Sequence, residues 1–290
     1  MNIRLVAGAA LLATIASVAG SPARAADSPG GKNVRILMVT QSAGFRHGSV
    51  TRKDGKLSVA EQTITDLAAA NKFFSVDCTQ DVAADLTREA LDSHNILFFY
   101  TTGNLPIKDD VKDYLFNDWI KQKGHGFIGT HSAADTYKDY EPYWEMLGGT
   151  FDGHPWGAGE VVTVTVHDTK HPVSKPWAEE FIIRDEIYRF KHWQPDKVHV
   201  LMSLNMAKTN KKEPYHVPVA WVKNYGEGRV FHMSLGHRED VWENKIYQQS
   251  LINGIKWVAG MEQGDATPNP ELSAAQDAKA KEDCSAAKAK

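Results

Sequence analysis

Two cysteines in 290 residues are too few to build a disulfide scaffold. The sequence also lacks a C-x-x-C pair, an H-E-x-x-H helix and an EF-hand loop, so no metal is specified by spacing alone. No G-x-G-x-x-G follows the first strand-like run and no C-x-x-C-H occurs, which argues against nicotinamide, flavin and attached haem. Charge of one sign is missing as well: 33 basic and 36 acidic residues leave a net charge of -3, with no broad cationic face for a nucleic acid. Long apolar runs are limited to Leu5 to Gly20. That stretch falls short of the roughly 20 residues needed to cross a bilayer, so no stable membrane anchor is expected.

The same run follows Arg4 and leads to Ala23-Arg24-Ala25, the pattern of a secretory leader cleaved before Ala26. Residues 1–25 are therefore expected to direct export to a periplasm or beyond. An oxidising compartment permits a Cys78–Cys284 bridge, but nothing in the sequence brings the two together. Residues 26–33 form a Ser/Pro/Gly linker, 34–260 a single domain, and 261–290 a polar tail expected to be disordered apart from some helix around Ser273 to Lys281.

Within the domain, short β-rich runs alternate with helical spacing. Val34 to Thr40, Phe73 to Cys78, Asn95 to Thr101 and Gly126 to Thr130 read as strands, with helices over Leu57 to Ala68, Thr87 to Ser93 and Asp109 to Lys123 between them. This is the pattern of an α/β fold with a mostly parallel sheet. The second half adds alternating strands at Val161 to Thr165 and Val198 to Met202. A hairpin is expected around Tyr225-Gly226-Glu227-Gly228, and a last helix over Val241 to Ala259 that buries Ile246 and Leu251. Antiparallel strands are therefore expected beside the parallel set.

Ligands of open α/β sheets bind where the carboxyl ends of strands converge. His47, His131 and His237 each follow such a strand end, and these three with Asp135 are the candidate catalytic residues. His131 sits in the small-residue turn Gly129-Thr130-His131-Ser132-Ala133, and Asp135 is one α-helical turn beyond it. His154 lies in the glycine-rich loop 148–155, and Asp185-Glu186 supply paired acids whose orientation the sequence leaves open. Phe45, Arg46, Thr102, Gly103, Trp156 and Tyr188 are the candidate substrate contacts; Trp156 and Trp193 are the tryptophans in loops, where an indole face can stack on a sugar.

Six segments, in order, resemble the ThuA-like (trehalose utilisation) family of the class I glutamine amidotransferase-like superfamily. They are Ala43 to His47, Gly129 to Asp135, Leu147 to Pro155, Asp185 to Tyr188, Pro218 to Trp221, and Gly228 to Phe231 with Leu235 to His237. The resemblance implies a flavodoxin-like three-layer α/β/α sandwich. Class I amidotransferases carry a cysteine at the elbow where His131 stands, and no cysteine is near it here, so thiol-based glutamine hydrolysis is excluded.

What remains implied is a carbohydrate-processing role: a lyase or hydrolase acting on disaccharides, glycosides or their 3-keto derivatives, in sequence with a sugar oxidoreductase. Such chemistry suits a divalent metal held among His131, His154, Glu186 and His237, with His47 beside them. The contrasting expectation is a non-catalytic sugar-binding or interaction module on the same fold.

Overall fold

The computed structural model describes residues 33–288. The expected leader and nearly all of the linker lie outside the described residues. The strands are β1 Val34–Val39, β2 Phe74–Thr79, β3 Ile96–Phe99, β4 Gly126–Thr130, β5 Thr150–Phe151, β6 Val161–Val166, β7 Glu180–Arg184, β8 Phe190–Lys191, β9 His199–Leu204, β10 Pro218–Tyr225 and β11 Gly228–Met233. The helices are α1 Val59–Asn71, α2 Val82–Asp85, α3 Arg88–Asp92, α4 Asp109–Asp113, α5 Glu141–Leu147, α6 Glu239–Glu243, α7 Lys245–Val258 and α8 Pro270–Lys288.

Nine strands form one sheet in the order β2-β1-β3-β4-β11-β10-β9-β6-β7, while β5 and β8 make a separate short ribbon. The first five are parallel, and β10, β9, β6 and β7 continue antiparallel. The expected hairpin is present, with Tyr225 opposite Gly228. Two reversals separate β11 from β9 and two more separate β9 from β7, so β7 ends at the same sheet edge as β1, β3, β4 and β11. That count explains how residues after β7 can join a site built on the parallel strands.

Both faces of the central parallel strands β3 and β4 are buried, as a three-layer α/β/α sandwich requires. Ile36 and Met38 of β1 pack with Ala60 and Ile64 of α1 and Leu251 and Ile255 of α7. The alternate residues Leu37 and Val39 pack on the other side with Val82, Leu91, Phe116 and Met146.

The start of α1 is fixed by a capping box, in which Ser58 Oγ accepts from Glu61 N at 3.4 Å and Ser58 N donates to Glu61 Oε2 at 2.9 Å. Glu61 also accepts from Thr40 Oγ1 at 2.6 Å and from Arg52 at 2.8–3.1 Å. Burial pushes this carboxyl up, but the hydrogen bonds from Arg52, Thr40 and Ser58 outweigh it and leave the group below its ordinary value. Glu61→Ala is expected to cost about 3 kcal/mol in urea unfolding, at the low end for a broken buried pair because Arg52 regains some water. A carboxyl held low in the folded state stabilises above its unfolded pKa of about 4.3 and loses that contribution as pH falls through the folded value. The wild type should therefore lose stability below about pH 4 more steeply than Glu61→Ala.

Three expectations need correction. The last helix of the domain is two helices, because Asn244 Oδ1 caps α7 by accepting from Ile246 N at 2.8 Å; Ile246 stands in that first turn, 43% exposed rather than buried. The helix expected to run through Lys123 leaves α geometry after Asp113, passing through a π turn at Tyr114–Asp118 and a 3-10 turn at Trp119–Lys121. Residues 270–288 of the tail form the ordered helix α8, whose small side chains allow Ala280 and Cys284 to be buried. Asn269 ties its start to β9, accepting from Val200 N at 2.8 Å and donating to Val200 O at 3.1 Å. Cys78 in β2 and Cys284 in α8 are both unbridged. Among the described residues no helix is long and apolar enough to cross a membrane.

Candidate functional site

His131 is the first residue after β4 and takes a positive φ of 42°, a conformation unusual for a residue with a Cβ. Its buried ring is oriented from behind: Nδ1 lies 2.9 Å from Ser234 O, the first backbone carbonyl after β11. A carbonyl only accepts, so Nδ1 carries the proton and Nε2 presents a lone pair. Tyr188 covers the ring, with centroids 4.4 Å apart.

His237 is placed by a loop that Asp185 holds from within. The Asp185 carboxylate, fully buried, accepts from Gly236 N at 2.7 Å and Arg238 N at 3.1 Å, the two amides flanking His237. Gly236 has φ 123°, and a Cβ there would stand 2.8 Å from Tyr247 Oη, so the close turn needs glycine. Tyr100 Oη donates to Gly236 O at 2.8 Å. Asp185→Asn keeps the shape but replaces one acceptor with a donor facing an amide. It is expected to destabilise the fold by about 1–3 kcal/mol in urea unfolding, the cost of leaving a buried amide N–H facing a donor.

His47 comes from the loop after β1. Thr102 Oγ1 donates to Phe45 O at 2.9 Å and accepts from Gly44 N at 3.1 Å, and Gly103 packs so closely that a Cβ would lie 2.9 Å from Gly44 N. Thr102 and Gly103, expected as substrate contacts, therefore shape the loop that carries His47. The His47 ring is buried, and its Nδ1 has no hydrogen-bond partner among the described residues. Burial, followed by the neighbouring His131 and His237, pushes its pKa down to about 2, so the ring is neutral at working pH.

Glu186, not Asp185, is the acid that faces these rings. Glu186 Oε2 lies 3.1 Å from His237 Nδ1 and 3.4 Å from His131 Nε2, and the two imidazole nitrogens are 3.2 Å apart. One ligand atom each from His47, His131, Glu186 and His237 fits within 4.8 Å of the others. Burial pushes the Glu186 carboxyl up, but the nearby His131 and His237 rings outweigh it and hold it well below the ordinary range.

These residues fit a divalent cation. A tetrahedral centre with bonds of about 2.0–2.2 Å has ligand-to-ligand edges of about 3.3–3.6 Å, close to the 3.1–3.4 Å spacings among His131, His237 and Glu186, with His47 within 4.8 Å. The Nε2 lone pair of His131 facing a carboxylate oxygen calls for a positive charge between them. His47 adds a neutral imidazole, the form that ligates a metal.

The other expected residues lie around this cluster. His154 is at the rim, its side chain 55% exposed, with Nδ1 3.5 Å from Glu186 Oε1. Phe45, 66% exposed, meets the His47 ring edge-on at 4.9 Å, and Arg46 beside it is exposed. Tyr188 supports His131 rather than presenting an open face. Asp135 does not join the cluster: residues 131–135 form a 3-10 turn, and its carboxylate pairs with Lys138 at 2.7 Å. Trp156 is not a sugar platform, since it is fully buried and donates from Nε1 to Lys211 O at 3.2 Å. Sequence reasoning missed Tyr100, although its place directly after β3 puts it at the same edge.

The family described as ThuA, trehalose utilisation, matches residues 35–258 and so takes in every one of these site residues. The chain belongs to the ThuA family. It is similar to a ThuA-like protein from Bacteroides uniformis ATCC 8492, with TM-score 0.62 and 23% identity over 87% of this chain and 100% of that one. A ThuA-like protein from Parabacteroides merdae ATCC 43184 gives TM-score 0.62 at 14% identity, covering 83% and 99%. The carbohydrate deacetylase Agd3 shares the fold at TM-score 0.52 and 13% identity, over 80% of this chain and 33% of that one. No curated protein matches the sequence. The family description ties this ThuA domain to carbohydrate use. Its elbow holds His131, and Cys78 lies on a different strand with its thiol pushed up to about 12 by burial, so neither cysteine is placed as an amidotransferase nucleophile.

Proposed function

We propose that this ThuA protein is an exported, metal-dependent lyase or hydrolase of disaccharides, acting on glycosides in their 3-keto form. The observation that carries the proposal is the triangle of His131 Nε2, His237 Nδ1 and Glu186 Oε2, with sides of 3.1–3.4 Å and the unpartnered His47 beside it. A divalent cation held there supplies Lewis acidity toward a ketone oxygen.

The chain's own residues divide the remaining work. His47, His131 and His237 are held in place by Thr102, Ser234 and Asp185 respectively. His154 contacts Glu186 through Nδ1, which leaves Nε2 to take a proton, and it stands at the open rim where a substrate enters. A ketone at C3 acidifies the C2 hydrogen. His154 removes that proton, the electron pair forms the C1–C2 double bond, and the C1–O bond breaks with the proton passing to the departing sugar oxygen. Water then adds across the double bond, its hydroxyl to C1 and a proton to C2, so the sum is hydrolysis. An imidazole can both take up and return a proton, which suits both halves of the cycle. A sugar oxidoreductase would supply the keto substrate.

The test is an assay of the purified protein on trehalose and on 3-keto-trehalose, with and without a chelator. Cleavage of the keto sugar that chelation abolishes and zinc restores is expected. Sugar binding with no cleavage under any condition would instead assign a non-catalytic binding module. Export rests on the leader pattern of residues 1–25, and a mature amino terminus at Ala26 is its expected signature.

A further inference from the structure

A second cavity, of about 410 Å³, opens between the segment after the site, Arg189 to Pro195, the loop at Tyr215 and the first turns of α8. It shares no residue with the histidine cluster, and its size is within the range of small-molecule sites, about 300–1,000 Å³. Its walls are aromatic: Phe190, Trp193 and Tyr215 line it. Trp193 is half-buried and stands at 75° to Trp221 behind it, with centroids 5.1 Å apart. The packing of an indole on edge against a buried neighbour fixes its plane.

The polar groups at this cavity are of a particular kind. Its two charged side chains are already neutralised, Arg189 by Asp152 at 3.0 Å and Asp277 by Lys281 at 2.5 Å. Ser273 is only 6% exposed, and its Oγ has no partner; the same holds for both ring nitrogens of His216. Burial pushes His216 down to about 4, so the ring is an uncharged donor and acceptor at neutral pH. A fixed aromatic face next to uncharged hydroxyl and imidazole groups, without net charge, matches a neutral ring that is apolar on its faces and hydroxylated at its edge.

We infer that this cavity is a second carbohydrate site, taking one neutral pyranose ring against Trp193 with its hydroxyls toward Ser273 and His216. The assignment does not depend on the reaction proposed for the histidine cluster. Arg189 joins the two places, since it donates to Asp152 O at 2.7 and 3.0 Å and Asp152 is in the loop leading to His154. A sugar bound there sits beside the rim of the cleft and is well placed to retain an oligosaccharide.

The test uses the full-length protein carrying Glu186→Gln, so that cleavage cannot consume the ligand, and follows glucose and trehalose by calorimetry and by saturation-transfer NMR. Saturable binding is expected, weakened at least about tenfold by Trp193→Ala, a loss of about 1.4 kcal/mol. Ser273→Ala, which deletes only the hydroxyl, should weaken binding several-fold with the melting temperature nearly unchanged. Binding that survives Trp193→Ala and Ser273→Ala but vanishes in His131→Asn would place the sugar in the cleft alone and overturn the assignment. No binding of either sugar at tens of millimolar, with the fold intact, would overturn it as well.

Discussion

Glu186→Gln is expected to lower kcat/KM on 3-keto-trehalose about 10³-fold while the metal-free protein still folds, with a modestly lower melting temperature. The change is close to isosteric, so it opens no cavity, and what the fold loses is the contribution of a carboxylate held low by its histidine neighbours. Chemically it removes the only carboxylate among the four clustered side chains, which contacts His131, His237 and His154 at 3.1–3.5 Å. One oxygen faces the nitrogens of His131 and His237 and the other faces the rim histidine. A neutral amide can serve neither role fully, so both zinc affinity and proton transfer should fall. A variant with kcat/KM within tenfold of wild type would remove Glu186 from the chemistry. His154→Gln separates the two roles: it should reduce kcat with zinc affinity preserved, because His154 touches the cluster only through Glu186.

Much of this site was legible before any coordinates. His47, His131 and His237 follow strands that the hydrophobic pattern marks as parallel, and parallel strands end at one edge. Glu186 was harder to assign, since Asp185 and Glu186 are adjacent acids and only the path of the chain after β7 turns one toward Gly236 and the other toward His237. Asp135 failed for a geometric reason. Its spacing from His131 matches one turn of an α-helix, but 3-10 geometry rotates successive residues further and sends the side chain toward Lys138. Trp156 lies in a stretch with glycines and a proline, which reads as an exposed loop. Tertiary packing, visible in no local pattern, places it inside the core. The tail misled by composition, because a helix rich in alanine and lysine needs only a few small residues and the Asn269 clamp to dock.

Zinc should also raise the stability of the whole domain. A ligand that binds only the folded state adds about 4 kcal/mol at a thousand times its Kd, which for a domain of this size raises Tm by roughly 8–16 °C. His131→Asn should abolish that rise. Asparagine tolerates a positive φ better than histidine, so the substitution relieves backbone strain at the position where φ is 42° while deleting a ligand. The metal-free variant is accordingly expected to unfold within about 1 kcal/mol of the metal-free wild type. The effect to measure is the difference between zinc-loaded and metal-free melting curves, compared across the two proteins. An equal zinc-induced rise in both would mean that the cation binds elsewhere.

The most direct measurement is anomalous diffraction at the zinc edge from crystals grown with one equivalent of Zn²⁺. A single strong peak is expected within about 2.0–2.2 Å of His131 Nε2, His237 Nδ1, a Glu186 oxygen and a His47 nitrogen, in tetrahedral or five-coordinate geometry. A peak absent from these four side chains, or present only at surface carboxylates, would contradict a metal-dependent centre at the edge of this sheet.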